Sequence, residues 1–324
     1  MSLKHKTLIT QPVSVGIIMP CYNMGEYIEE ALDSLQKQTF KDFKIIIADD
    51  ASTDKKTQQK LKTIHIPSNT DLVFEKNNLG LSGIRNKYME QFDTKYVFSF
   101  DPDDILEPNF LEKCITYMES HPDKAAVATW LNRFGIESGI SKLSEESATL
   151  PAMLITNNYL GSCVLRKEAF TQVGGYDTSD IVYGAEDYDF WLSILEKGWS
   201  LGVISEPLFR YRRLSDSSSS QSAKPEKAIK WRRYIIEKHL SLYEKYFVDV
   251  IIGFEKRSSD AHVGYLHTAE QLRLISNDYE MLHTYVENDL LLELRRYRAI
   301  AHKFRFINPK KYVRKIQKII NTRK

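Results

Sequence analysis

The strongest constraint on this chain is a repeated alternation. Four times in the first hundred residues a short run rich in Val, Ile and Phe stops at a Pro, Asp or Asn and gives way to residues at helical spacing. The runs are 13–19, 43–48, 72–75 and 96–100. Between them, Ile28, Leu32 and Leu35 mark one buried helix face, Ser52-Thr53-Asp54 can cap a short helix, and Ile84, Tyr88 and Phe92 mark another face. Asn23 is a candidate cap for the first helix, which starts near Gly25. Such alternation is the mark of a βαβ architecture with a mainly parallel sheet. With 42% apolar residues, the chain has the material for a sizeable core.

Further along, a helix is expected with Pro108 near its first turn and Leu111, Cys114, Ile115 and Met118 on its buried face, followed by a strand over 125–130. Residues 131–156 show no clear period and read as a long excursion of the kind that carries specificity. Strand character returns at 161–165, and a helix over 185–197 is ended by Gly198. The Ser-rich stretch 215–222 reads as a linker before a largely helical remainder, which divides the chain into an α/β domain over 1–215 and a helical, basic extension over 216–324.

The formal net charge of +2 conceals an asymmetry. The last 30 residues hold twelve Lys or Arg and no Asp or Glu, leaving 33 basic against 43 acidic residues in the rest. After Asn308-Pro309, residues Tyr312, Val313, Ile316, Ile319 and Ile320 share a helical face with the basic residues largely elsewhere. Such a helix suits an anionic membrane surface, the acidic body of its own chain, or a second subunit in a homo-oligomer. Nucleic acid is not an expected partner, because no nucleic-acid-binding motif accompanies the charge. Three scattered cysteines without a C-x-x-C pair argue against a disulfide framework or thiolate metal site. No apolar run reaches the length of a membrane span, so the expected location is the cytoplasm, with the inner membrane face as a peripheral docking site.

Ligands of open α/β sheets bind beyond the carboxyl ends of the strands. Here those ends carry Tyr22-Asn23, Asp49-Asp50, Asn78 and Asp101-Pro102-Asp103-Asp104. Carboxylates gathered at one edge repel unless a cation neutralises them. No histidine lies between His121 and His239, so the ligands are oxygens and the ion a hard one, Mg²⁺ or Mn²⁺, whose shell is usually completed by substrate phosphates. A nucleoside diphosphate is the natural ligand. The chain has no G-x-x-x-x-G-K-[ST], and Gly80-Leu81-Ser82-Gly83 falls short of G-x-G-x-x-G, which weakens kinase, ATPase and dehydrogenase readings.

Seven blocks in order resemble the family 2 glycosyltransferases of the GT-A fold: Ile18-Met19-Pro20-Cys21-Tyr22-Asn23, the helix ending Ser34-Leu35-Gln36-Lys37-Gln38-Thr39, Ala48-Asp49-Asp50-Ala51-Ser52-Thr53-Asp54, Asn78 to Asn86, Phe100-Asp101-Pro102-Asp103-Asp104, Val173-Gly174-Gly175-Tyr176-Asp177 and Glu186-Asp187-Tyr188-Asp189-Phe190-Trp191. The resemblance covers most of residues 13–215. It implies a sugar-nucleotide donor, most simply a UDP-sugar, a divalent cation, and inversion at the anomeric carbon. It also implies that Pro20, Tyr22 and Asp50 line the base pocket, that Asn78 and Arg85 contact the nucleotide, that Asp101 faces ribose or metal, and that Asp103 is the principal metal ligand. Asp187 matches the family's general base, with Glu186 orienting the glycan or lipid-linked acceptor, and Asp104 and Trp191 are candidates for acceptor or sugar contact. Many members place a histidine after a Tyr-Arg pair; here Tyr211-Arg212-Arg213-Leu214 has Leu214 there, with Arg212, Arg213 or a serine of 217–220 as candidate substitutes.

Simpler readings stand beside these. Aspartates at strand ends also cap turns, Glu186-Asp187 would favour any helix N-terminus, and Trp191 and Tyr188 suit a core. Two other functional classes also stand: a catalytically silent sugar-nucleotide-binding or assembly subunit acting through its tail, and a sugar nucleotidyltransferase. Retention of both Asp103 and Asp187 argues against the first, and the lack of a Gly-rich basic N-terminal loop argues against the second.

Overall fold

The computed structural model describes residues 14–214, 225–254 and Arg257. Its strands are β1 (Val15–Cys21), β2 (Phe43–Asp49), β3 (Thr70–Phe74), β4 (Tyr96–Ser99), β5 (Ile105–Leu106), β6 (Lys124–Gly135), β7 (Gly139–Ser141), β8 (Val164–Arg166) and β9 (Ser200–Arg213). The helices are α1 (Ile28–Gln36), α2 (Lys55–Thr63), α3 (Gly80–Gln91), α4 (Phe110–Ser120), α5 (Leu150–Ile155), α6 (Lys167–Val173), α7 (Glu186–Glu196), α8 (Pro225–Lys238) and α9 (Leu240–Lys245).

Among the described residues these strands form one sheet in the order β3-β2-β1-β4-β8-β6-β9-β5, with β7 paired to β6. The first four are parallel, β8 runs antiparallel between β4 and β6, and β9 returns parallel to β6. Every residue of β1 is buried, as the continuous apolar run requires of a strand covered on both faces. The end of α3 fixes the cover on one face: a Cβ at Gly16 would lie 2.2 Å from the Phe92 ring. Toward the sheet's far side, Phe98, Phe100, Phe110 and Phe209 meet at centroid distances of 5.4 to 6.0 Å. The expected α/β architecture is present.

Three local expectations are revised, and one strand is additional. Asn23 does not cap α1: with φ at 56° it folds back so that its Oδ1 accepts from Thr53 N and Asp54 N, both at 2.9 Å, and fastens the β1 end to the β2–α2 loop. Residues 131–156 are more ordered than their lack of period implies, because β6 runs on to Gly135, turns into β7, and is followed by α5. The strand expected at 161–165 begins only at Val164. The additional strand is β9, which has no strand signal in its sequence. Pro207 sits in an irregularity where Thr129 pairs with Ile204 and Leu131 with Phe209, so the run carries neither alternation nor continuous apolarity.

The chain forms two compact units, Met1–Tyr243 and Glu244–Lys324, so the first extends past the boundary expected at 215. Helix α8 is held by charge: Tyr234 OH donates to Asp177 at 2.8 Å, and Lys238 Nζ reaches Asp177 at 2.7 Å and Asp189 at 2.8 Å. His239 then lies buried between Asp189 at 3.1 Å and Glu196 at 3.2 Å. In the second unit, residues 247–254 are helical. The Ser-rich stretch 215–222 and the basic helix over 308–324 lie outside the described residues. No helix among the described residues is long and apolar enough to cross a membrane.

Candidate active site

The site begins where β1 and β2 end. Pro20 is buried within β1, Tyr22 just beyond is 45% exposed, and Asp50 N donates to Cys21 O at 2.8 Å, so the two strand ends are laced together. The Asp50 carboxylate accepts from Leu79 N at 2.7 Å, and Asn78 Nδ2 donates to Asp50 O at 3.0 Å. Burial, with Glu75 and Asp49 nearby, holds the Asp50 carboxyl above the usual range despite N–H bonds from Leu79 and Gly80. Tyr22, Asp50 and Asn78 therefore sit together at one edge.

Arg85, expected to contact the nucleotide, is bonded within the protein. It projects from α3, is 3% exposed, and its guanidinium is fully engaged: Nε donates to Ser99 Oγ at 2.9 Å, one terminal nitrogen to Glu186 at 3.2 Å, and the other to Asp101 at 3.1 Å. Its ring contact is Tyr176, with Cζ 5.6 Å from the centroid. Burial opposes the charge, but Asp101, Tyr176 and Glu186 more than offset it and hold the guanidinium ionised. Arg85 thus ties the 101–104 turn to the start of α7. A planar, permanently charged fork is the side chain that can serve two carboxylates at once.

Within the turn, Asp101 keeps a partly open face beside Arg85. Burial and the charge of Asp101 push the half-buried Asp103 carboxyl up to about 6. Arg212 Nε donates to the Asp103 backbone oxygen at 2.8 Å. Asp104, a candidate for acceptor contact, is 1% exposed and serves the fold: Oδ1 accepts from Arg212 N at 2.8 Å, while Oδ2 has no hydrogen-bond partner among the described residues. Burial, then Asp103 and Asp101, raise its carboxyl well above the ordinary range. Trp191 is likewise corrected: it is fully buried, edge-on to Tyr159 at 5.0 Å and to Phe190 at 4.9 Å, and has no surface for a sugar. Of the expected substitutes for the missing histidine, Arg212 reaches Glu30 and stacks on Phe134 at 4.3 Å and Arg213 Nε lies 3.4 Å from Glu137, while the serines of 217–220 lie outside the described residues.

At the start of α7, Glu186 is buried and accepts from Gly184 N at 2.8 Å as well as from Arg85. Asp187 is half-buried, with Oδ1 accepting from Tyr188 N at 2.8 Å. Loss of water, then the charge of Glu186, push its carboxyl up to about 7, against the opposing pull of Arg85, the Tyr188 N–H and the Asn157 side chain. Such a carboxylate is poised to accept a proton near neutral pH. Sequence reasoning missed Ser99 and Asn157 because each is an ordinary polar residue whose role exists only across long chain separations.

Among the described residues, no three His, Cys, Asp or Glu side chains converge as a ready-made metal cage. Asp101 and Asp103 lie two residues apart in the turn, and two carboxylates are the number a hard cation uses when phosphates supply the rest.

A mainly parallel sheet whose strand ends collect Asp50, Asn78 and Asp103, joined through Arg85 to a raised carboxyl on α7, defines the class as a glycosyltransferase of the GT-A fold. The profile described as Glycosyl transferase family 2 matches residues 16–176, a second described as N-terminal domain of galactosyltransferase matches 151–216, and the chain belongs to glycosyltransferase family 2. An uncharacterized glycosyltransferase of Methanocaldococcus jannaschii is 28% identical over 217 residues, covering 61% of this chain and 70% of the relative. The putative teichuronic acid biosynthesis glycosyltransferase TuaG of Bacillus subtilis is 27% identical over 213 residues, 66% of this chain and 84% of the relative. The crystal structure of S. aureus TarS 1-349 in complex with UDP-GlcNAc shares the fold at a TM-score of 0.56 and 19% identity, over 74% of this chain and 71% of that one. The mannosyltransferase PcManGT from Pyrobaculum calidifontis in complex with GDP-Man and Mn²⁺ does so at 0.56 and 16%, over 85% and 84%.

Proposed function

We propose that the enzyme transfers a sugar, with inversion, from a UDP-sugar to a hydroxyl of a glycan or lipid-linked acceptor in cell-envelope polysaccharide synthesis. The observation that carries this reading is Asp187, a carboxyl raised to about 7 and linked through Glu186 and Arg85 to the 101–104 turn. The teichuronic acid assignment of one relative and the UDP-GlcNAc in the TarS complex support the acceptor and donor classes. Tyr22, Asp50 and Asn78 hold the nucleoside, with Pro20 shaping the floor of that edge and Asp101 facing the ribose. Asp103 and Asp101 hold a divalent cation, in keeping with the Mn²⁺ of the mannosyltransferase complex. When bound, the cation neutralises charge that grows on the departing diphosphate. Asp187 takes the proton of the attacking hydroxyl, and no second carboxylate is needed to protonate the leaving group. The basic segment 308–324 brings the enzyme to the anionic inner face of the membrane, so removing it lowers liposome binding.

Replacing Asp187 by Asn tests the base. Transfer is expected to fall by about 10² to 10⁴ while UDP affinity by calorimetry stays within about twofold. Asp103→Ala is expected to remove the gain in UDP affinity produced by Mn²⁺; an unchanged gain would place the ion elsewhere.

A further inference from the structure

A cavity of about 250 Å³ lies between the β6–β7 hairpin and the loop 157–160, with Leu131, Ser141, Lys142, Asn157, Asn158 and Tyr159 in its lining. At about 30 Å³ per water it has room for about eight waters, or a single sugar ring. The loop is fixed on both sides: Asn158 Nδ2 donates to Ser147 O at 3.2 Å, and Tyr159 OH donates to Gly202 O at 2.7 Å. Asn157 joins this cavity to the base. Its Oδ1 accepts from Tyr159 N at 3.2 Å, which leaves the Nδ2 donor free to face away from that bond, and the Asn157 side chain is among the groups that favour the ionised Asp187 carboxylate. Gly161 follows, and a Cβ there would already touch Asp187 Oδ2 at 3.5 Å, so glycine leaves the carboxylate open on that side. The lining contains no carboxylate and one charged side chain, Lys142, whose Nζ lies 5.1 Å over the Trp130 ring.

We propose that this cavity is the acceptor subsite, that it takes one sugar ring bearing a carboxylate or a phosphate, and that Asn157 positions Asp187 against the attacking hydroxyl. The inference rests on Asp187 being the base. In the step it serves, the acceptor O–H proton passes to Asp187 while the oxygen forms a bond to the anomeric carbon. The bond from that carbon to the diphosphate oxygen breaks, its electron pair leaving with the nucleoside diphosphate. Asn157 is a positioning residue: its amide favours the ionised carboxylate, alongside Arg85 and against Glu186, and Cys163 and Tyr176 are the other titratable groups within electrostatic reach.

The test uses the full chain with whichever of UDP-glucose, UDP-GlcNAc or GDP-mannose it hydrolyses fastest, offered methyl glucuronide, glucose 6-phosphate or methyl glucoside. An acidic ring is expected to divert donor from hydrolysis to transfer about tenfold more than methyl glucoside, the better of the two acids separating carboxylate from phosphate. Ser141→Trp, which fills the cavity, should lower the transfer-to-hydrolysis ratio about tenfold, and Lys142→Ala should abolish the preference for acidic rings. Asn157→Ala should move the inflection of the pH–hydrolysis profile upward, and Asn157→Gln should return part of that shift. No transfer to any of the three rings, equal transfer to all, or an unmoved inflection in Asn157→Ala would overturn the proposal. Loss of transfer in Asp187→Asn with an unchanged ratio in Ser141→Trp would remove the cavity and keep the base. Survival of transfer in Asp187→Asn with a lowered ratio in Ser141→Trp would do the reverse.

Discussion

On one side of the sheet β3, β2, β1 and β4 run parallel and are joined by local crossovers, so that Val15 pairs with Phe43 and Ile45 with Thr70. On the other side directions mix, and Lys124 pairs with Ser200 across an irregular register. The first side carries Tyr22, Asp50 and Asn78; the second carries the cavity proposed for the acceptor and packs beside α7. The difference teaches that the parallel half, proposed to hold the donor, is specified by short-range pattern, while the mixed half, proposed to hold the acceptor, is specified by long-range pairing that leaves room for variation without disturbing the first. Arg85 is the bond between them, reaching from α3 to Asp101 and to Glu186.

The substitution that breaks the comparison most severely is therefore Arg85→Ala. It leaves Glu186 and part of Asp101 without their cation, and an unfolding free energy lower by about 3 to 5 kcal/mol is expected in urea titration. A loss below about 1 kcal/mol would mean the two halves are not coupled through this residue. Next come two glycines of matched tightness. A Cβ at Gly16 would meet Phe92 at 2.2 Å, and one at Gly202 would meet Tyr117 at 2.4 Å. Each Gly→Ala is expected to cost about 1 to 3 kcal/mol by thermal melting. Gly202→Ala alone should also raise the acceptor KM, because Gly202 O holds Tyr159 in the cavity loop. The smallest effect is expected at Asp54, whose carboxylate accepts from Thr57 N at 2.8 Å and from Lys56 N at 3.3 Å at the start of α2. Asp54→Ala should cost about 1 kcal/mol and leave both kinetic constants unmoved.

What could be read in advance follows the same division. The four parallel strands, the α3 and α4 faces and the Gly198 stop were legible because periodicity and caps are local signals. The carboxylates at the strand ends were legible as a group, since topology alone places strand ends together. Strand β9 was not, because its pairing depends on β6 and Pro207 hides its pattern. The bonds of Arg85 were not legible, for nothing in residues 78–86 shows that Ser99, Asp101 and Glu186 converge on it. For Trp191 and Asp104 the sequence left two readings open, since both sit in active-site motifs, and burial decides between them: one fills the core and the other fastens β9 to the 101–104 turn.

The central claim is that Asp187 accepts the proton, and the pH dependence of kcat/KM for the wild-type enzyme tests it most directly. Because the carboxyl is raised to about 7 and acts ionised, the rate should be low in acid and rise to a plateau with an inflection near that value. Glu186→Gln, which removes the neighbouring charge, should draw the inflection downward. A profile that reaches its plateau in the ordinary carboxylate range, or one that Glu186→Gln leaves in place, would contradict the assignment.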